Sequence, residues 1–324
     1  MSDLILITGG AGYIGEPLAE LLADTGHRVR VLDSFLHGQE HLAARLEGAG
    51  VELIRGDVRN AGARERALDG AHAVVHLAAI VGDPACARDP EVAREVNIEG
   101  TKALVADAAR AGAERFIFAS TCSNYGRMAD PTVPIGEDAE LAPVSLYAEQ
   151  KVTVERFLLG GDHGIQPTCL RFATIYGVAP RMRFDLTVNE FTRDLWADRS
   201  LEVFGEQFWR PYVHVRDAGR AVAAVLAAPG EKVSGEVYNV GRSGENYRKL
   251  DLVEEIRRQI DTGSVTYVHR DEDPRDYKVS FDKIRAELGF ETLMTVPDGI
   301  TEVLGALSSG EFTDPFSAEY RNIP

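Results

Sequence analysis

The 324-residue chain is 44% apolar and 27% charged, which is the composition of a soluble globular protein. Its formal net charge of −16 argues against a nucleic-acid partner, and no apolar run approaches the roughly 20 residues of a membrane span. Cys86, Cys122 and Cys169 lack metal-ligand spacing, so no metal is predicted. Because the first strand leaves no room for a signal peptide, we expect a reduced, cytoplasmic protein.

The first predicted strand, Leu4–Thr8, is followed at once by a glycine-rich turn and then by helical spacing from Pro17. Gly9, Gly12 and Gly15 give the spacing G-x-x-G-x-x-G, which differs from the G-x-G-x-x-G of the usual dinucleotide fingerprint. Glycines let a backbone approach an anion, and the next helix offers unpaired N–H groups and the positive end of its dipole. A plain tight turn is the alternative, but the position between strand and helix favours a phosphate-binding turn.

The second strand, Arg28–Leu32, alternates polar and apolar residues and ends in Asp33. An acidic residue about 20 residues beyond the glycines can accept hydrogen bonds from an adenosine ribose. A carboxylate there disfavours the additional phosphate of NADP, so the sequence predicts NAD as the cofactor. The alternative is that Asp33 is an ordinary loop carboxylate.

Strands and helices continue to alternate through the first half of the chain. This alternation predicts an α/β fold with a doubly wound parallel sheet of the Rossmann type, whose ligand sites lie at the carboxyl ends of the strands. Further strands are predicted at Val51–Asp57, Ala71–Leu77, Arg115–Ser120 and Pro167–Phe172, and helices at Ala63–Leu68, Asn97–Ala111 and Val144–Leu159.

Three of these strand ends fit a dinucleotide. Asp57 and Val58 follow the third strand, where an adenine edge is expected. The small residues after His76 would let a pyrophosphate or a ribose lie close, and Ser120 and Thr121 end the fifth strand beside the expected nicotinamide. We interpret His76 itself as a packed strand histidine, with a catalytic role as the lesser alternative.

After residue 175 the pattern changes to shorter, less regular elements, which predicts a smaller C-terminal α/β lobe. We predict a NAD-binding Rossmann domain over residues 1–175. A mainly substrate-binding lobe is predicted over 176–324, with some segments returning to the Rossmann sheet. The last dozen residues are predicted to form a loosely packed tail. Strands are predicted at Leu201–Phe204, Arg210–Val215, Val237–Val240 and Val265–Val268, and helices at Phe184–Leu195, Arg216–Leu226, Lys249–Ile260, Ile284–Leu288 and Ile300–Leu307.

Tyr147 and Lys151 carry the predicted chemistry. A separation of four residues places both on one face of a helix. A free tyrosine has a pKa of about 10, and a neighbouring ammonium lowers that pKa by stabilising the phenolate. Such a pair can exchange a proton with a carbinol hydroxyl while hydride leaves the same carbon, and Thr121 could bind the same oxygen. A Y-x-x-x-K spacing alone is usually a solvated surface pair; here it follows the glycine turn, Asp33 and Thr121 in order.

With these features the chain resembles an extended short-chain dehydrogenase/reductase of the NAD-dependent epimerase/dehydratase family, which acts on nucleotide sugars. The similarity covers nearly the whole chain. It rests on TGGAGYIG (8–15), Asp33, GDV (56–58), HLAA (76–79), VNIEGT (96–101), STCSNYG (120–126), Tyr147 with Lys151, LRFATIYG (170–177) and RPYVHVRD (210–217).

The resemblance implies a role for each matching position. Tyr147 is implied to be the general acid or base, Lys151 to lower its pKa and bind the nicotinamide ribose, and Thr121 to orient the substrate. The implied cofactor-binding residues are Gly9, Gly12, Tyr13, Ile14, Gly15, Asp33, Asp57, Val58, Leu77, Ala78, Ala79, Ser120, Tyr147 and Lys151. The implied substrate-binding residues are Thr121, Thr174, Asn189, Arg210 and Arg275, of which Arg210 resembles the arginine that clamps the sugar-nucleotide diphosphate.

Three positions depart from the family's patterns. The 4,6-dehydratases that resemble this chain place Asp-Glu directly after the threonine, where this chain has Cys122 and Ser123, so dehydration is disfavoured. Ser123 also stands where certain epimerase/reductases carry a cysteine, and we interpret Cys122 as a packing residue. Thr174 replaces the usual asparagine of the N-x-Y-G strand end, which puts sugar or phosphate contacts there in doubt.

The favoured function is a NAD-dependent nucleotide-sugar 4-epimerase that oxidises C4 transiently to a 4-keto sugar and reduces it again. The first alternative is a nucleotide-sugar 4-ketoreductase or dehydrogenase of deoxysugar biosynthesis. A 4,6-dehydratase or a non-catalytic NAD-sensing protein ranks lower, since such a sensor need not retain Tyr147 and Lys151. The resemblance also favours a homodimer without a nucleic-acid or membrane partner, although the helices at 97–111 and 144–159 could equally pack within one chain.

Overall fold

A computed structural model of the protein describes residues 3–128, 130, 133–270 and 275–322. The chain divides into two compact units. The first comprises the residues up to Thr121 together with Ser145–Arg171 and Gly219–Tyr238. The second comprises Cys122–Val144, Phe172–Ala218 and the residues from Asn239 onward.

The strands, numbered in chain order, are β1 (Leu4–Thr8), β2 (Arg28–Asp33), β3 (Glu52–Arg55), β4 (Ala71–His76), β5 (Arg115–Thr121), β6 (Gln166–Phe172), β7 (Thr174–Tyr176), β8 (Ser200–Phe204), β9 (Trp209–His214), β10 (Glu236–Val240), β11 (Asn246–Arg248) and β12 (Ser264–Val268).

The helices, numbered likewise, are α1 (Gly15–Asp24), α2 (Leu42–Gly48), α3 (Ala61–Leu68), α4 (Asp83–Arg88), α5 (Pro90–Arg94), α6 (Thr101–Arg110), α7 (Leu146–Leu159), α8 (Thr187–Trp196), α9 (Val215–Ala227), α10 (Gly230–Val233), α11 (Lys249–Arg257), α12 (Asp282–Leu288) and α13 (Val296–Ser308).

A seven-stranded sheet, in the order β10-β6-β5-β4-β1-β2-β3, is the framework of the first unit. The pairs β1–β2, β1–β4, β2–β3 and β4–β5 are parallel, so the carboxyl ends of β1 to β5 meet along one edge. Strand β1 is buried at all five positions, as expected for a strand covered on both faces. This architecture confirms the predicted α/β fold with a doubly wound Rossmann-type sheet.

The second unit is built on smaller sheets. Strands β11, β9 and β7 form a three-stranded sheet, and β12 pairs in parallel with β8. A separate apolar core packs α8, α11 and α13 together, with Val188, Leu195, Leu252, Ile256 and Ile300 among its buried members. The strands predicted near residues 201, 210 and 265 therefore exist, but they do not belong to the large sheet.

The structure also contains elements that the sequence pattern did not reveal. Helix α2 follows β2, and the short helices α4 and α5 precede the predicted helix at 97–111. That helix begins as a π-helical segment, Glu95–Gly100, before it continues as α6. Helices of five to seven residues carry too few turns to give a readable hydrophobic period.

The prediction of a loosely packed C-terminal tail is wrong for the described residues up to 322. Phe312 is buried, and its ring packs edge-on against Phe184 and Tyr320 at centroid distances of 5.1 and 5.4 Å. The guanidinium of Arg199 lies 3.4 Å from the centroid of Phe316. Aromatic contacts and cation–π stacking therefore hold this segment on the second unit, which its many polar residues concealed.

Phe312→Ala is expected to destabilise the second unit by about 3 kcal/mol, because it removes one side of a three-ring cluster and leaves a cavity. Calorimetric unfolding checks this as a lowered melting temperature. Leu293→Ala serves as the control, since Leu293 is 71% exposed. Equal melting temperatures for the two variants would contradict the docking of the tail.

Candidate active site

The glycine-rich turn connects β1 to α1 at the centre of the sheet's carboxyl edge. Gly9 has φ +74°, and a Cβ placed on it would lie 2.7 Å from the backbone nitrogen of Ala78. A Cβ on Gly15 would lie 2.3 Å from the carbonyl oxygen of Gly9. Both positions therefore require glycine for the turn itself to close.

Gly12 differs from its neighbours in the turn. A Cβ there would meet only the Gly9 carbonyl oxygen, at 3.1 Å, and Gly12 is half-buried while Tyr13 and Ala11 are buried. Protein packing therefore explains the missing side chain less fully here than at Gly9 and Gly15, because one close contact opposes a Cβ at this position. A bare backbone at the start of a helix is what a pyrophosphate needs for close approach, so this turn fits a dinucleotide.

Asp33 ends β2 next to the glycine turn. One carboxylate oxygen accepts a hydrogen bond from the backbone N–H of Ala11 at 2.9 Å, and the other accepts one from Phe35 at 2.8 Å. Phe35 is buried and has a positive φ of 54°. The carboxylate thus joins the turn after β1 to the turn after β2, at the predicted place for an adenosine ribose.

Asp57 and Val58 differ in their surroundings. Arg59 binds Asp57 at 2.8 Å, and its hydrogen bonds hold the pKa of that carboxyl below its usual value. The side chain of Val58 is buried in the core of the first unit. If adenine lies here as predicted, Val58 can offer it backbone groups only. Asp57 can offer its half-exposed carboxylate.

A buried polar cluster braces the segment after β4, and sequence analysis missed it. Asn97 accepts a hydrogen bond from the backbone N–H of Ile80 at 2.8 Å and donates one to the Ile80 carbonyl at 3.0 Å. It also donates to Gln150 at 2.7 Å, and Cys86 donates to the Ile80 carbonyl at 3.4 Å. These contacts fix the path of Leu77, Ala78 and Ala79 past Gly9. The only sequence signal was Asn97 within the VNIEGT segment.

His76 is a packed histidine, as interpreted from the sequence. Its ring nitrogens lie 2.6 Å from the Thr8 hydroxyl and 2.8 Å from the Thr101 hydroxyl. Burial lowers the pKa of His76 to about 3, with a smaller contribution from the charge of Lys151. The ring is therefore neutral and engaged within the core.

Tyr147 and Lys151 share a face of α7, which begins after Ser145 caps it by accepting the Ala148 N–H at 3.3 Å. The Lys151 ammonium nitrogen lies 5.8 Å from the centre of the Tyr147 ring and donates to the Ala119 carbonyl at 2.6 Å. Lys151 is 5% exposed, and burial lowers its pKa to about 8. Tyr147 is half-buried. The phenol and the ammonium are therefore adjacent, and the ammonium is tied to the end of β5 that carries Ser120 and Thr121.

The predicted substrate-binding arginines, Arg210 and Arg275, belong to the second unit. The guanidinium of Arg210 lies 5.5 Å from the centre of the Tyr277 ring, and the charge of Arg275 also acts on the Tyr277 phenol. Tyr277 is fully buried, and desolvation raises its pKa to about 12. The structure therefore places the Arg210 guanidinium near a buried aromatic ring, and the charge of Arg275 acts on the phenol of the same residue.

The other two predicted substrate residues have different settings. Thr174 pairs with Tyr212 in the sheet that also carries Arg210 on β9. Asn189 is fully buried, accepts the Gly177 N–H at 2.9 Å and donates to the Arg183 carbonyl at 2.9 Å. Through these hydrogen bonds Asn189 stabilises the turn at Gly177. Its contact with the nucleotide stays a prediction.

A family model described as the NAD-dependent epimerase/dehydratase family matches residues 5–241. The chain belongs to this family. The resemblance found in the sequence is thereby confirmed, as are the assignments of the protein as an enzyme and of NAD as its cofactor.

Individual relatives in this family carry different names. A UDP-N-acetyl-α-D-glucosaminuronate decarboxylase from Bacillus cytotoxicus is 30% identical over 314 residues, which cover 94% of this chain and 91% of the relative. A UDP-glucose 4-epimerase from Azospirillum brasilense is 28% identical over 332 residues, covering 95% and 92%. The relatives therefore agree on nucleotide sugars and differ in the reaction.

Solved structures show the same likeness over nearly the full chain. The UDP-glucose 4-epimerase of Thermus thermophilus in complex with NAD has a TM-score of 0.82 at 26% identity, covering 94% of this chain and 99% of that one. DesIV, a dTDP-glucose 4,6-dehydratase of Streptomyces venezuelae with NAD bound, has a TM-score of 0.82 at 28% identity, covering 95% and 98%.

When bound, NAD supplies a ring that accepts or returns a hydride. The residues predicted to hold it lie within the first unit near the carboxyl edge of β1, β2, β4 and β5: the glycine turn, Asp33, the segment after His76, and Lys151. Within the described ranges, no helix is both long and apolar enough to cross a membrane.

Proposed function

We propose that this enzyme is a nucleotide-sugar 4-epimerase. The observation that carries the proposal is the pair on α7, in which a half-buried phenol stands beside a buried ammonium at the end of β5. The family's use of NAD, and the 4-epimerases among the relatives, support the same reaction.

In the proposed mechanism Tyr147 accepts the proton of the sugar C4 hydroxyl while the C4 hydrogen leaves as hydride. Lys151 stabilises the phenolate through its charge, and Thr121 holds the C4 oxygen through a hydrogen bond. The resulting 4-keto sugar presents its other face, the hydride returns to C4, and Tyr147 donates the proton back. The resemblance assigns the diphosphate of the substrate to Arg210, whose guanidinium offers a planar fork of donors, and Arg275 is a further candidate for substrate binding.

The residues after Thr121 support epimerisation over dehydration. Elimination of water across C5 and C6 needs groups that deprotonate C5 and protonate the leaving hydroxyl. Cys122 is 1% exposed, and the Ser123 hydroxyl is hydrogen-bonded to Tyr277. Neither side chain is a carboxyl group, so the acid–base pair of the dehydratases has no counterpart at these positions.

Decarboxylation is the second candidate, because one 30% identical relative is a nucleotide-uronate decarboxylase. It shares the first step. Oxidation at C4 of a sugar whose C6 is a carboxylate gives a β-keto acid, and the C5–C6 electron pair moves into the C4 carbonyl as CO₂ leaves. A C6 carboxylate on the substrate is necessary for this outcome but also compatible with epimerisation, so the release of CO₂ is what distinguishes the two reactions.

The decisive experiment supplies UDP-, dTDP-, GDP- and CDP-sugars to the purified protein without added cofactor and follows the products by NMR. A 4-epimerase is expected to convert many sugar molecules per bound NAD and to retain a deuterium placed at C4. A 4-ketoreductase or dehydrogenase would stop after one turnover of bound cofactor. Solvent hydrogen at C5 without release of CO₂ would indicate elimination, and release of CO₂ from UDP-glucuronic acid would indicate decarboxylation, which also places a solvent hydrogen at C5.

The predicted homodimer and the cytoplasmic location remain proposals. On α6 the side chains of Leu104, Val105 and Ala108 are buried within the chain's own core. The apolar face of this helix is therefore covered without a second subunit. Light scattering of the purified protein tests whether the remaining surface joins two copies.

A further inference from the structure

Glu155 lies on the same face of α7 as the proposed catalytic pair. Tyr147, Lys151 and Glu155 are spaced four residues apart, so they follow one another on successive turns of the helix. Glu155 is 1% exposed. A carboxylate this deep in a protein is retained only when it is paired, and its position behind Lys151 calls for an explanation.

Two buried side chains hold the carboxylate of Glu155 in place. Arg171 on β6, 4% exposed, donates from Nε at 3.1 Å and from a terminal nitrogen at 2.8 Å. Ser120 on β5, also 4% exposed, donates its hydroxyl to Oε1 of the same carboxylate, the oxygen that also accepts from the Arg171 Nε. Two strands and one helix therefore fix the position of this charge, and the hydrogen bond from Ser120 ties it to the residue before Thr121.

Among the residues that the structure describes, few other negative groups face Lys151, and the Arg171 guanidinium offsets part of the Glu155 charge. Its ammonium lies 4.6 Å from the centre of the Phe118 ring, a weakly stabilising contact. The titratable groups that face it are His76 on β4, Cys86 on α4 and Cys169 on β6, besides Tyr147 and Glu155 on α7 itself. Burial keeps His76 neutral and raises the pKa of both thiols, that of Cys86 to about 11. Among these groups Glu155 supplies the anion.

We propose that Glu155 is a positioning residue for the reaction of Tyr147: its carboxylate, buried one helical turn behind Lys151 and held in place by Arg171 and Ser120, supports the charged form of the Lys151 ammonium beside the phenol. The inference rests on the proposed function, because only a charged Lys151 assists the Tyr147 phenolate. Burial of Lys151 favours the neutral amine and lowers its pKa, whereas Cys86, Glu155 and Cys169 act in the opposite direction. Because burial raises the pKa of both thiols, Glu155 is the member of this group that carries a negative charge.

The test measures the titration of Lys151 directly in the holoenzyme. Protein labelled with ¹³C at the lysine Cε is titrated by NMR, and the Lys151 signal is assigned by its loss in Lys151→Met. In Glu155→Gln, which keeps an acceptor for Ser120 but removes the charge, Lys151 is expected to titrate at least about one pH unit lower than in the native protein. The alkaline limb of the kcat profile is expected to move to lower pH with it.

Glu149→Gln is the matched control. It is the same substitution on the same helix, two residues from Lys151, but Glu149 is exposed, and an exposed charge is screened by water and salt. Lys151 should titrate there as in the native protein. An unchanged titration in Glu155→Gln, or an equal shift in both variants, would overturn the proposal.

A second variant guards against misfolding, since Glu155→Gln leaves the Arg171 charge buried without its partner. Glu155→Gln/Arg171→Met removes both charges; Lys151 is expected to titrate lower than in the native protein but to shift by less than in Glu155→Gln, because loss of the Arg171 guanidinium acts in the opposite direction. If Lys151 shifts as expected but the native protein epimerises no sugar, the proposed reaction fails while the inference on Glu155 stands.

Discussion

Tyr147→Phe is expected to keep NAD bound and to lower kcat by about 10²–10⁴-fold, the contribution of a positioned acid or base. The ring stays in place on α7, so packing next to Lys151 is preserved, and only the oxygen that exchanges the C4 proton is lost. The measurement is steady-state turnover of the nucleotide sugar identified by the NMR screen, together with the NAD content of the purified variant.

Tyr267→Phe is the matched control for this prediction. It removes the same atom from a tyrosine on β12 that is 46% exposed, and its kcat should equal that of the native protein. Full activity in Tyr147→Phe would show that another group moves the C4 proton. Loss of bound NAD in that variant would instead assign Tyr147 to cofactor binding.

Gly12→Ala is expected to weaken NAD binding at least about tenfold, or about 1.4 kcal/mol, while the melting temperature of the NAD-free protein changes little. The added methyl group meets a single protein atom, the Gly9 carbonyl oxygen at 3.1 Å. Apart from this one tight contact, the methyl group takes up space that the protein leaves bare, and a pyrophosphate that lies against the turn would lose its close contact. Calorimetric titration with NAD and thermal unfolding without NAD measure the two effects.

Substitutions at two other glycines serve as comparisons for the effect of Gly12→Ala on stability and NAD affinity. Gly15→Ala places a Cβ 2.3 Å from the Gly9 carbonyl oxygen, so both stability and NAD affinity should fall. Gly48→Ala, at the exposed end of α2 with no atom within 4 Å of the added Cβ, should keep NAD affinity and raise stability by at most about 1 kcal/mol. Native NAD affinity in Gly12→Ala would mean that the phosphates lie elsewhere along the sheet edge.

Much of the first unit could be predicted from sequence because its signals are local. The strands β1, β2, β4 and β5 are short apolar runs bounded by glycines and polar residues, and the observed bounds differ from the predicted ones by a single residue at most. The pairing of Tyr147 with Lys151 also follows from spacing alone, since helix geometry fixes which residues share a face.

The second unit and the tail were less predictable, because their contacts join distant parts of the chain. Folding brings together three aromatic rings from distant positions, those of Phe184, Phe312 and Tyr320. The sequence near residue 312 does not indicate which ring Phe312 packs against. Similarly, α2 and β11 are too short for a periodic pattern to stand out.

The sequence by itself determined the order of strand, glycine turn and helix, the acidic end of β2, and the helix that carries phenol and ammonium on one face. Each of these depends on neighbours within about 20 residues. Only the tertiary structure decided that Glu155, Ser120 and Arg171 form one buried group behind Lys151, and that Asn97 braces the segment after β4. Those contacts join residues that lie 16 or more positions apart in the chain, and burial gives their charges and hydrogen bonds a strength that no local pattern reveals.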